Sequence, residues 1–82
     1  MEEKLKQFAS DAITSYLILH PDAADTIEGI HLWWIRWPTI PESILVTASA
    51  LAKLEKAGLI ENQSVGNRYI WRRPRTNENL NT

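Results

Sequence analysis

Gly58 divides this sequence into two regimes. Before it, apolar residues recur at the spacing of one helical face; after it, they recur at every second position. A chain that changes period once is restricted to a run of helices followed by paired strands. With 82 residues it has room for one domain and one modest core.

The helical part divides at its prolines. Leu5, Phe8, Ala9, Ala12, Ile13, Tyr16 and Leu17 form one stripe, which predicts a helix over 2–19 with a Glu2–Lys6 pair on its wet side. His20-Pro21 ends it, because the residue before proline avoids helical geometry. A second helix is predicted over 26–36, capped by Asp25 with Glu28 completing a capping box; Ile27, Ile30, Trp34 and part of Leu32 or Trp33 point inward, and Pro38 stops it. A third is predicted over 40–57. Thr39 and Glu42 form its capping box, Pro41 sits in its first turn, and Ile44, Thr47, Ala50, Leu51 and Leu54 face the core. Gly58 supplies the stop. Strands are predicted at 59–62 and 68–72, with a turn over 63–67 in which Gly66 and Asn67 suit positive φ. The domain therefore spans 1–75, and the Asn-rich segment 76–82 reads as a disordered polar tail.

Composition narrows the function classes. The chain has no cysteine, which removes disulfides, thiolate metal sites and thiol nucleophiles. Met1-Glu2-Glu3-Lys4 does not open a signal peptide, and no apolar run approaches the ~20 residues of a membrane span, so a cytoplasmic location is expected. Net charge is −1, but its distribution is uneven. Residues 1–59 carry five basic and eight acidic side chains; residues 60–75 carry Arg68, Arg72, Arg73 and Arg75 against Glu61 alone.

The order helix, helix, helix, hairpin resembles the winged helix-turn-helix superfamily. The segment from Thr47 to Ile60, and its Leu54-Glu55-Lys56-Ala57-Gly58-Leu59-Ile60 ending in particular, resembles the third helix and wing of multiple-antibiotic-resistance-type regulators. The stretch from His20 to Ile30, followed by Trp33-Trp34, is also similar to small uncharacterised bacterial proteins. The fold class expected is mainly α (α+β): a three-helix winged helix-turn-helix with a C-terminal two-stranded β-hairpin. The resemblance implies double-stranded DNA as partner, with the third helix in the major groove and the wing on the backbone. Carried onto this chain, the groove positions are Ser43, Val46, Ala48, Ser49, Ala52 and Lys53. The wing contacts are Asn67, Arg68, Arg72 and Arg73. The helix positions are mostly Ala, Ser and Val, a poor set for reading base edges.

Two readings of the remaining features stay open. The arginines, with Tyr69 and Trp71 beside them, can hold phosphates, or they can serve as a solubilising edge that discourages strand pairing. Trp33 and Trp37 would share a face of the second helix and, with the Ala/Ser face of the third helix, form an interface with a protein partner or a second copy in a module that does not bind DNA; the alternative for the tryptophans is partial burial. His20, Asp22, Asp25 and His31 match no zinc-ligand spacing, and no nucleophile triad or Gly-rich phosphate loop appears. Neither an enzyme, a metal, a cofactor, a small-molecule substrate nor a membrane partner is expected.

Overall fold

The computed structural model describes residues 2–74; Arg75 and the polar tail 76–82 lie outside the described residues, as does the side chain of Glu2. The architecture is a small α+β fold, with three helical segments and a three-stranded antiparallel sheet. Helix α1 (Glu2–Leu19) has the expected bounds. Its buried positions Ala9, Ile13 and Leu17 recur every four residues and pack along α3 (Ile44–Lys56). On its wet side Lys6 Nζ stands 3.6 Å from Glu3 Oε2.

The second helix is shorter than expected and begins differently. Asp25 does not cap it, because Ala24–Asp25 is a short strand, β1. Thr26 is the cap: its hydroxyl accepts from Gly29 N at 3.3 Å. Asp25 instead folds its carboxylate onto Thr26 N, at 2.8 Å, and fills the space where a Cβ on Gly29 would lie. From there α2 (Ile27–Gly29) runs directly into a π-helical stretch (Ile30–Trp34). The helix stops at Trp34 and not at residue 36. Ile35 turns extended, with φ −109° and ψ 125°, which puts its side chain into the core.

Helix α3 also begins late. Ile40 precedes Pro41 and is steered away from helical geometry, so the Thr39–Glu42 box does not form an entry. Ser43 caps the helix, accepting from Leu45 N at 3.1 Å. Its end is the one expected from Gly58. That residue has φ 79°, Gly58 N donates to Glu55 O and Leu59 N donates to Leu54 O, the paired bonds of a Schellman stop.

That stop occupies Gly58 and Leu59, so β2 starts only at Glu61 and runs to Val65, later than the expected 59–62. β3 (Arg68–Arg72) has the expected bounds. The connecting loop is two residues, Gly66 and Asn67. Gly66 alone has positive φ, 63°; Asn67 does not, contrary to expectation. β1 pairs with the free edge of β3, so the sheet has three strands in the order β1-β3-β2 where two were expected. A two-residue strand leaves no periodic signal in a sequence.

The core is Ala9, Ile13 and Leu17 of α1, Ile30, Trp34 and Ile35, Ala50, Leu51 and Leu54 of α3, and Ile60. One buried polar pair crosses it. His31 Nδ1 lies 2.6 Å from Thr47 Oγ1, and Trp37 Nε1 donates to His31 O at 2.8 Å. Thr47→Val keeps the shape of the side chain and leaves the imidazole nitrogen without its partner. The expected loss is about 1–3 kcal/mol of unfolding free energy, measured by urea denaturation. A loss near zero would mean that the pair contributes nothing.

Candidate nucleic-acid interface

The core positions of α3 define its outer face. With Thr47, Ala50, Leu51 and Leu54 buried, the opposite side of the helix is Leu45, Ser49, Ala52 and Lys56, all exposed. Lys53 lies on the flank nearest α1, where its Nζ donates to Gln7 Oε1 at 2.6 Å. This contact joins residues 46 positions apart and brings the first turns of α1 alongside α3. A shallow hollow of about 590 Å³ results, bordered by Lys6, Ser49, Ala52, Lys53 and Lys56. Three lysines therefore border one hollow, Lys6 with Glu3 beside its Nζ and Lys53 with its Nζ on Gln7. Lys6 escaped the sequence reading because only the α1–α3 packing brings it there. Ser43, at the head of the helix, borders an adjoining hollow with Glu3, Lys6, Val46 and Ser49, its oxygen engaged as the cap of α3.

The arginines of the hairpin are spread out and do not form one cluster. Arg68 and Asn67 are exposed at the turn, where they border a hollow with Thr26, Ile27 and Glu28 at the start of α2. No residue of α3 lines it. Arg72 is directly opposite Glu61 in the strand register, and its Nη1 lies 3.8 Å from Glu61 Oε2 and 3.4 Å from Gln63 Oε1. Part of its charge is thus answered within the hairpin. Arg73 follows the strand and borders a different hollow, with Leu17 and Ile18 near the end of α1 and Gly58 and Leu59 after α3. Among the described residues, Arg68, Arg72 and Arg73 are neighbours along the chain but not on one surface. The strand carries Arg68 and Arg72 to opposite ends, and Arg73 leaves it.

The tryptophans separate as well. Trp33 is 75% exposed, beside the exposed Leu32. Trp37 is half-buried, its indole N–H held by His31 O and its ring against Phe8 and His31, with centroids 5.7 and 5.2 Å away. The two do not share a helical face, because the helix ends between them. Trp34 is the buried one, stacked on Tyr16 at 4.5 Å.

Among the described residues, no group of three or more His, Asp or Glu is placed to hold a metal ion, and no helix is long and apolar enough to cross a membrane. His20 lies against Tyr16 and His31 is taken up by Thr47. A scan against protein-family models, a search of curated proteins and a search of solved structures each found no match to this chain.

The contrast between the tryptophans is measurable. Trp33→Ala is expected to change unfolding free energy by less than about 0.5 kcal/mol, the usual range for an exposed position. Trp37→Ala removes packing and a hydrogen bond, and is expected to cost about 2 kcal/mol or more. Urea titrations of both variants check this; equal effects would refute the placement.

Proposed function

We propose that this chain is a winged-helix nucleic-acid-binding protein, a small regulator-like binder of double-stranded DNA. The observation that carries the reading is that Lys6 of α1 and Lys53 and Lys56 of α3 border one hollow beside the outer face of α3, Lys6 with its charge partly answered by Glu3. Phosphate contacts supply most of the affinity of such proteins, and lysines need only proximity to make them. The order of elements supports it: a helical segment, a nine-residue connection over 35–43, a helix with one face to solvent and then a hairpin, with β1 paired to β3. In a winged helix the third helix enters the major groove and the hairpin grips the adjacent backbone. Here α3 fills the first role, with Ser43, Ser49 and Lys53 along it. Asn67 and Arg68 fill the second at the hairpin tip. Arg72 contributes less, since Glu61 already answers its charge. The acidic residues that surround this face, Glu3 above all, limit its affinity.

A second reading rests on Trp33 and Leu32. Large apolar side chains exposed side by side mark protein contacts more often than chance surface does. In that reading the domain docks onto a protein partner or a second copy through Trp33, and the lysines only keep it soluble. Trp37 has no part in it, being held within the fold.

Fluorescence anisotropy with a labelled duplex separates the two. Under the DNA reading, log affinity falls linearly with log salt between about 50 and 200 mM, and each lysine that touches a phosphate lowers the slope by about 0.9 when replaced. Lys53→Ala and Lys56→Ala are expected to do this, and Arg72→Ala to do it less. No binding at micromolar protein in low salt would remove the DNA reading and leave the protein interface.

A further inference from the structure

We infer that the duplex is bound without regard to most of its sequence, through its backbone and groove shape; the inference rests on the DNA reading above and names the class of ligand for that site. Direct readout of base edges depends on side chains that offer paired donors and acceptors: Arg or Lys to guanine, Asn or Gln to adenine, Asp or Glu to cytosine. The face that α3 presents to solvent is Leu45, Ser49 and Ala52, with Lys56 in its last turn. Its central positions carry no bidentate group. Ser49 has one hydroxyl, which pairs with any base, and Leu45 and Ala52 can only touch a thymine methyl.

Apart from Lys53 and Lys56 in the last turn of α3, side chains able to read bases lie off this face. Gln7 is on α1, and its oxygen is taken by Lys53 Nζ at 2.6 Å. Gln63 and Arg72 are engaged with each other within the hairpin. Arg73 lies against the far ends of α1 and α3. Lys6, Lys53 and Lys56 border one hollow along the α1 flank, the arrangement that follows a phosphate backbone. A small-residue helix face with cations along one flank can lie in a wide groove while offering its bases little to distinguish. The deep, narrow major groove of an RNA duplex would not admit the helix, which favours DNA.

One source of preference remains. Asn67 and Arg68 are exposed at the hairpin turn, where they can enter a minor groove. That groove separates A·T from G·C pairs and no further, and its narrow A-tracts attract arginine. The ligand is therefore duplex DNA of broadly any sequence, with a mild bias toward A·T-rich tracts.

The test is a panel of labelled duplexes, A·T-rich, G·C-rich and mixed, titrated with the full chain at one low salt concentration, together with selection from a random-sequence library. All affinities are expected to fall within about tenfold, whereas sequence-specific proteins separate their sites from other DNA by roughly 10³–10⁷. Selection is expected to yield no consensus beyond A·T richness. Ser49→Ala is exposed and leaves the core intact, and it should shift every affinity by the same factor. Arg68→Ala should abolish the A·T bias. One sequence bound more than a hundredfold over the rest, with Ser49→Ala erasing the difference, would overturn the inference and leave the DNA reading standing. Failure of every duplex to bind would remove the DNA reading itself, and this inference with it.

Discussion

The contact between His31 and Thr47 sets the geometry on which the rest of the molecule depends. Both side chains are buried, and the 2.6 Å separation ties the π-helical stretch to the middle of α3. Trp37 returns to the same place and donates to the His31 carbonyl, so the chain leaving the helix is fastened as well. Hydrophobic burial alone would let α3 slide or rotate among similar packings, since Ala50, Leu51 and Leu54 are not strongly directional. A buried hydrogen bond has a direction, and a shift that breaks it strands two polar groups in the core. The rotation of α3 about its own axis is thereby fixed. Which residues it shows to solvent follows from that.

The outer face of α3 gains charge from α1, not from the hairpin. Lys6 and Gln7 lie on the first turns of α1, and the Lys53–Gln7 bond holds those turns beside the third helix. The hairpin has its own internal economy of charge. Register places Glu61 opposite Arg72, and the strand separates Arg68 from Arg72 by its full length. Beside α3 the basic surface is bordered by lysines, and Arg68 stands apart from it, exposed at the hairpin turn.

Much of the fold is legible in the sequence where the signal is local and strong. The stripe of α1, the stop at Gly58 and the strand Arg68–Arg72 can all be read from spacing and from glycine chemistry. The errors arise where two local signals compete. Thr39 and Ser43 both offer a cap for α3, and Pro41 decides against the first through its effect on Ile40. Asp25 and Thr26 both offer a cap for α2, and strand pairing with Trp71 takes Asp25. β1 is too short to read at all. The candidate site is less legible than the fold. The exposure of Ser49, Lys53, Asn67 and Arg68 can be expected from the order of elements, but Lys6 comes beside α3 only through tertiary packing. The separation of the arginines needs the strand register, which the linear sequence conceals.

The outer face of α3, with Lys6 beside it, is the surface proposed to meet DNA. Amide chemical-shift mapping of the labelled chain, titrated with a short duplex, tests it most directly. The account expects shifts concentrated at Lys6, Ser43, Leu45, Ser49, Ala52, Lys53 and Lys56, with a second group at Gly66–Arg68. Shifts centred on Leu32 and Trp33, or on Arg73 and Pro74, with α3 unmoved, would contradict it.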